Sequence, residues 1–346
     1  MTRALALFSG GLDSILATRV VAAQGIDVLA VKFVTPFFGY GILADIDGYA
    51  SEIWEKYGIE VVVEDISDGY LELLRDPRHG FGRHFNPCVD CKIFMLKRAR
   101  EMMDELGASF LVTGEVLGQR PMSQRLDTLN VISRDSGNRS LLLRPLSARL
   151  LPETDPELQG LVDRTRLLDF SGRGRSRQIA LAREFRIHDF PSPAGGCILA
   201  DPILSRRIKR LYADEFVLSS KDIKVTDIRL LLVGRQFILP GGGWLILGRV
   251  EEENDRLLGL AGEDDAVLQM EERPGPAALL RRAARCYAEA ETRSADLDLA
   301  AALVTRYSRK LNGLPQAGEV VVSLSGRRWT IAAEPLADEL FTGWML

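Results

Sequence analysis

Six residues near the start of the chain, Ser9-Gly10-Gly11-Leu12-Asp13-Ser14, combine the types that grip a polyphosphate. Two adjacent glycines let the backbone take a positive φ and bring its N–H groups close to an anion, and a helix that follows aims its positive N-terminal end at the same place. Ser9 and Ser14 add hydroxyl donors. Asp13, beside that loop, is placed to hold a magnesium ion, or a water bound to it, against the phosphates. No lysine follows the glycines at the spacing of the Walker loop, which disfavours simple γ-phosphate transfer. A second set is softer. Cys88 and Cys91 form a Cys-x-x-Cys after Asn86-Pro87, and Cys197 follows Pro193-Ala194-Gly195-Gly196. In a reducing compartment such cysteines point to metal or redox chemistry more than to disulfides. One reading is a zinc site completed by His84 or His188. Cys286, in apparently helical surroundings, reads as a small buried apolar residue, and none of the three histidines, His79, His84 and His188, is assigned a catalytic role.

The loop needs a strand before it and a helix after it, and the sequence provides both. Ala4 to Phe8 is an apolar run and residues 12–24 have helical character. Ile26 to Val34 reads as a second strand, closed by Thr35-Pro36, and residues 44–57 as a helix before the strand Ile59 to Val63. A helix over 92–106 leads into Phe110-Leu111-Val112, and Leu141 to Leu143 is a further short strand. This alternation predicts right-handed βαβ units around a parallel sheet, with ligands beyond the carboxyl ends of the strands. Past Tyr212 the pattern changes to an α+β module. Val225 to Val233, Gln236 to Leu239 and Trp244 to Leu247 read as short strands, with Gly241-Gly242-Gly243 as a hairpin turn. Pro276 to Leu311 reads as helical with a break near 294, ahead of the strands Glu319 to Leu324 and Arg328 to Ala332. Ser219-Ser220-Lys221 reads as a linker, which gives domains at 1–218 and 223–346.

The 346 residues are 46% hydrophobic and 27% charged, as in ordinary globular chains. No apolar stretch approaches the roughly 20 residues of a membrane span, and the chain opens on a strand in place of a leader, so no membrane association and a cytoplasmic location are expected. A net charge of −4 does not advertise nucleic-acid binding, yet basic residues gather at 164–186, at 206–210, and at Arg306, Arg309, Lys310, Arg327 and Arg328.

The SGGxDS loop resembles the PP-loop of the ATP pyrophosphatases. Residues 112–125, VTGEVLGQRPMSQR, and Leu143-Arg144-Pro145-Leu146 are similar to further signatures of the tRNA 4-thiouridine synthetases within that group. The resemblance covers roughly residues 3–200. It implies an adenine nucleotide α-hydrolase-like α/β domain that cleaves ATP between the α and β phosphates, adenylates a uridine carbonyl oxygen in tRNA and replaces that oxygen with sulfur. It places Ser9, Gly10, Gly11, Asp13, Ser14, Gly114 and Gln119 on ATP and Mg²⁺, with Gly114 giving the backbone close approach to the adenylate. Ser123 and Gln124 would line the crevice.

Better-known members carry an N-terminal RNA-binding extension and a C-terminal rhodanese-like domain with a persulfide cysteine. Neither is read here, which puts the usual sulfur relay in doubt. Cys88, Cys91 and Cys197 resemble instead the three-cysteine 4Fe-4S sites of cluster-dependent tRNA thiolation enzymes, whose open iron could bind hydrosulfide. The zinc site stays open, as does a thiouridylase-like relay in which Cys88 or Cys197 carries a persulfide and its partner resolves it. The donor would be sulfide or a persulfide carrier, and a homo-oligomer is an open alternative to a monomer. An amidating PP-loop enzyme acting on a small molecule is the rival enzyme class. Residues 234–254, 305–310 and 319–324 resemble, more loosely, the NFACT-R RNA-binding domain, which would place Arg249, Arg306, Arg309 and Lys310 on phosphates and offer Tyr307 or Trp329 for stacking.

Overall fold

The structure, a computed structural model, describes residues 2–192, 197–216 and 218–346. The chain forms two compact units, Met1–Ile198 and Leu199–Leu346. In the first, the elements run β1 (Arg3–Leu7), α1 (Leu12–Ala22), β2 (Asp27–Val34), α2 (Ile46–Tyr57), β3 (Glu60–Asp65), α3 (Ser67–Leu73), α4 (Cys88–Leu106), β4 (Phe110–Thr113), α5 (Leu126–Asp135), β5 (Leu142–Leu143), α6 (Asp155–Leu158) and α7 (Ser176–Glu184). The five strands form a parallel sheet in the order β3-β2-β1-β4-β5. This is the PP-loop α/β architecture read from the sequence. The order reverses at β1, so the segments leaving β1 and β4 flank the crevice at the carboxyl edge where such sheets bind ligands. The centre of β1 is buried, with Leu5 fully so, as expected of a strand covered on both faces. α1 is apolar nearly all round because it is held between the sheet and α7, burying Leu12, Ile15, Leu16, Ala17, Val20 and Val21.

The second unit runs α8 (Pro202–Tyr212), α9 (Val225–Leu231), β6 (Arg235–Ile238), β7 (Trp244–Leu247), α10 (Glu251–Leu260), β8 (Ala266–Met270), β9 (Ala278–Leu280), α11 (Ala290–Tyr307), β10 (Gly318–Leu324), β11 (Arg327–Ala333) and α12 (Asp338–Phe341). Its antiparallel sheet has the order β11-β10-β8-β9-β7-β6. α11 lays Leu297, Ala300, Ala301 and Val304 on the core face formed by Phe237, Leu245, Leu268 and Val320.

Three readings of this unit are corrected. Val225 to Val233 is not a strand: Val225–Leu231 is helical, started by a bond from Lys224 N to Asp227 Oδ2 at 2.7 Å, and it buries Ile228, Leu230 and Leu231 on one side. Pro276 to Leu311 is not one broken helix, because Ala278–Leu280 is an inner strand of the sheet and the helix begins only at Ala290. A short apolar run is ambiguous between the two until its neighbours are known. The contact boundary falls at Ile198, earlier than 218–223, because α8 packs on α9. Among the described residues, no helix is long and apolar enough to cross a membrane.

Candidate active site

Between Leu7 and Leu12 the chain must turn from strand to helix in four residues. Gly10 does so at φ +82°, in the left-handed region, and Gly11 then caps α1 in an extended conformation with no side chain bonded to the helix end. Ser9 Oγ accepts from Gly11 N at 3.3 Å and donates to Ser14 Oγ at 3.2 Å, while Ser14 Oγ donates to Gly11 O at 2.8 Å. The two serines thus brace the loop from within.

Asp13, in the first turn of α1, is the most informative side chain. Its Oδ2 accepts from Gln119 Nε2 at 3.0 Å, but its buried Oδ1 has no partner. Burial pushes its pKa up, opposed by Gln119, by the charges of Arg175 and Arg120, and by Gln178, whose Nε2 lies beside it without a well-formed hydrogen bond. A buried carboxylate oxygen without a well-formed hydrogen bond fits a hard cation. Arg175 and Gln178, delivered by α7, escaped the sequence reading, in which 164–186 was only a basic cluster.

The segment leaving β4 closes the other wall. A Cβ on Gly114 would lie 2.5 Å from Asp13 O and 2.6 Å from Ser14 N, so its lack of a side chain serves the packing of this wall on the phosphate loop itself. Glu115 is buried with Arg144, whose Nε donates to Glu115 Oε2 at 2.9 Å. Thr113 Oγ1 donates to the same oxygen at 3.2 Å, and Oε1 stays unpartnered. Burial pushes the Glu115 carboxyl up, but Arg144 and Lys92 outweigh it and hold the pKa below the usual value. Ser123 and Gln124 are both buried, and Gln124 O accepts from Gly118 N at 2.7 Å, folding this segment back on itself.

A further residue arrives from β2. Lys32 Nζ donates to Ser9 O at 2.7 Å, and burial with no anion beside it pushes its pKa down. The available signal was a lone charge inside the apolar run Val28 to Val34.

The Cys-x-x-Cys sits at the start of α4, with Cys88 as its first residue and Cys91 N bonded to Pro87 O at 2.8 Å. Asn86 Nδ2 donates to Cys88 Sγ at 3.3 Å. Burial pushes the Cys91 thiol up to about 11; Tyr70, hydrogen-bonded to it, and Lys92 oppose the shift, whereas Cys197 and Cys88 add to it. Cys197 and Cys88 are thus near enough to act electrostatically on Cys91. Cys197 is exposed, and the Pro193 to Gly196 part of its motif lies outside the described residues. Among the described residues no three His, Cys, Asp or Glu side chains are grouped closely enough to hold a metal ion. Of the histidines named for zinc, His84 bonds through its backbone N to Asn86 Oδ1 at 3.1 Å and His188 is exposed. Cys286 is half-buried between β9 and α11, outside any helix.

In the second unit the glycine turn at 241–243 is held by Asp296, which accepts from Gly241 N at 2.9 Å and Gly243 N at 3.0 Å. Arg249 pairs with Glu253 and Arg306 with Asp338, while Arg309 and Lys310 are exposed. Tyr307 does not stand free for stacking: it packs between Phe237 and Phe341, under the guanidinium of Arg235. Trp329 is exposed. Arg207 donates to Leu231 O at 3.2 Å, its buried Nε lacks a partner, and burial together with Arg249 and Arg206 lowers its pKa.

A doubly wound parallel sheet with a glycine loop after β1, a buried carboxylate in the next turn and thiols at a neighbouring helix start defines a PP-loop nucleotide-binding domain. In agreement, residues 1–149 match the family model described as Thiamine biosynthesis protein (ThiI), and residues 234–345 match that of the NFACT protein RNA binding domain. The first match ends at residue 149, short of the span of roughly 3–200 read from the sequence, and the second covers the region that resembled the NFACT-R domain. A probable tRNA sulfurtransferase of Methanothermobacter thermautotrophicus is 33% identical over 42% of this chain and 36% of that protein. One from Thermococcus kodakarensis is 28% identical over 39% of this chain and 34% of its own length. The chain therefore spans about a third of the curated relatives it matches. Among solved structures, a 4-thiouridine synthetase–RNA complex with bound ATP aligns over 54% of this chain and 52% of that one, at 20% identity and a TM-score of 0.35.

Proposed function

We propose that this chain is an ATP-dependent tRNA sulfurtransferase that makes a thiouridine. The observation that carries the reading is the Asp13 carboxylate, buried with Oδ1 unpartnered beside the Gly10-Gly11 turn. The sulfurtransferase names of the matching relatives support it. Ser9, Gly10, Gly11 and Ser14 seat the triphosphate, with Gln119 orienting Asp13. The uridine carbonyl oxygen attacks the α phosphorus of ATP and pyrophosphate leaves; a sulfur nucleophile then adds to the activated carbonyl carbon, whose C–O bond breaks as AMP departs with the oxygen. Adenylation is required because a carbonyl oxygen is a poor leaving group and a phosphate monoanion ester is a good one. A magnesium ion held by Asp13 would neutralise charge on the pyrophosphate.

Sulfur chemistry falls to Cys88, Cys91 and Cys197. Two half-buried thiols and the exposed Cys197 supply the soft donor type that a 4Fe-4S cluster would use. Held by these three, such a cluster would keep one iron open to hydrosulfide. The high Cys91 pKa disfavours it as a free nucleophile, so a persulfide relay would fall to Cys88 or Cys197. The second unit would supply the grip on RNA, through Arg206 and Arg207, whose buried Nε has no partner, and through the exposed Arg309, Lys310 and Trp329. The setting would be the cytoplasm.

The test is incubation of the full chain, purified anaerobically, with labelled ATP, magnesium, tRNA and sulfide. The expected products are AMP, pyrophosphate and a thiolated uridine detected by nucleoside mass spectrometry; ADP as product would overturn the reading. Iron, sulfide and zinc analysis of Cys88, Cys91 and Cys197 variants separates cluster from zinc, and zinc would leave the adenylation step standing.

A further inference from the structure

The phosphate loop lacks the lysine that Walker loops carry within their own sequence, yet an ammonium group stands on it. Lys32 lies at the carboxyl end of β2, where β2 runs parallel to β1 and Phe8 N bonds to Val31 O at 2.9 Å. Its Nζ donates to Ser9 O, the first residue of the loop, at 2.7 Å. A Cβ built on Gly39 would come within 3.4 Å of the Lys32 stem, so the segment after β2 packs close along the lysine. No carboxylate pairs with Lys32 among the described residues, although lysines elsewhere in the same unit, such as Lys56 with Glu52, do find one. One of the three ammonium donors is used on the loop, which leaves two for an anion. A half-buried cation without a counter-charge, bonded to a loop shaped for anions, is costly unless the anion arrives with the ligand.

We infer that Lys32 is a polyphosphate-binding residue of this site: a lysine supplied by the neighbouring strand, which does for the β and γ phosphates of the nucleotide what a Walker lysine does from within its loop. The inference rests on the ATP reading above and adds to it the residue that discriminates a triphosphate from a monophosphate. Lys32 touches the end of the nucleotide that leaves as pyrophosphate. Its effect therefore scales with the number of phosphates beyond the first.

The test is calorimetric titration of the full chain with ATP·Mg²⁺ and, separately, with AMP, in the wild type, Lys32→Gln and Lys32→Arg. Gln keeps a donor for Ser9 O but no charge, and Arg keeps both. The expected result is a loss of about 10- to 100-fold in ATP affinity for Lys32→Gln, near-wild-type ATP affinity for Lys32→Arg, and AMP affinity unchanged within about twofold in both. Equal losses for ATP and AMP, or no loss in Lys32→Gln, would show that the lysine only braces the loop and would overturn the inference while leaving ATP binding intact. A wild-type protein that binds neither nucleotide overturns the ATP reading and this inference together. Thermal melts accompany each titration; should Lys32→Gln not fold, an Arg variant with ATP affinity lowered as far as its AMP affinity would overturn the inference on its own.

Discussion

The two units bury carboxylates in opposite ways. In the second unit, Asp227 and Asp265 lie in one ionic network: Arg281 donates to Asp227 Oδ1 and to Asp265 Oδ2, each at 2.7 Å, and Arg282 reaches Asp227 Oδ2 at 2.8 Å and, through its backbone N, Asp265 Oδ1 at 2.7 Å. Asp296 is equally complete, with Tyr287 Oη donating at 2.6 Å beside the two glycine N–H groups. In the first unit, Asp13 and Glu115 each keep one buried oxygen without a partner, and Gln119, Gln124, Arg175 and Gln178 add further unpaired polar atoms. Buried polar groups that fold a protein are satisfied by the protein; those left open await something else. Unpartnered buried atoms also occur at Arg19, Asn138, Arg207 and Arg273, so the contrast holds for the carboxylates: those of the second unit are complete and those at the phosphate loop are open.

The largest effect that tests this contrast is on stability. Arg281→Met should strand Asp227 and Asp265 in the interior and cost about 3–5 kcal/mol, read by denaturant unfolding of the second unit. A cost under 1 kcal/mol would mean that the network is not what holds these strands and helices. Asp13→Asn should behave in the reverse manner. Pyrophosphate release should fall by about 100- to 1,000-fold, because the charge that positions the cation is gone. Stability should hold or rise slightly. The sign follows from linkage: a carboxyl whose folded pKa is raised gives stability fully present below the unfolded value and lost as pH climbs through the folded one, so at neutral pH the ionised Asp13 opposes folding. For the same reason, Mg²⁺·ATP affinity should begin to drop at a higher pH than an ordinary aspartate would cause. An Asp13→Asn protein that melts early would place Asp13 with the scaffold.

Much of the first unit was legible because its signals are local. Strand, glycine pair, acidic first turn and helix follow one another within twenty residues, and each supports the next. The cysteines were legible by type alone. Lys32 was not, since only the parallel register of β1 and β2 carries it to Ser9, and Gln178 and Arg175 reach Asp13 only because α7 packs on α1. Gly114 was readable as a site glycine but not as one whose missing Cβ makes room for the Asp13–Ser14 backbone, a contact across two strands' loops. In the second unit the short elements misled. Val225 to Val233 looks extended by its β-branched and apolar content, yet the Asp227 side chain bonded to Lys224 N starts a helix there.

A smaller effect sharpens the comparison at the thiols, where each unit offers a half-buried cysteine. Burial raises the pKa of both, opposed at Cys286 by Arg282 and Arg281 and at Cys91 by Tyr70 and Lys92, and it takes Cys91 to about 11. Because the thiolate is the reactive form, Cys91 at pH 8 should alkylate roughly 100-fold more slowly than a free thiol of ordinary pKa. Peptide mass spectrometry after timed iodoacetamide exposure of the chelated, anaerobic protein reads this directly, with exposed Cys197 as the fast internal standard. Tyr70→Phe removes the hydrogen bond that favours the Cys91 thiolate and should slow Cys91 further without touching Cys286. Cys91 labelling as fast as Cys197 would mean that the first unit keeps its thiols as ready nucleophiles. That outcome would move the sulfur step from a metal-bound thiolate set towards a persulfide on Cys91 itself.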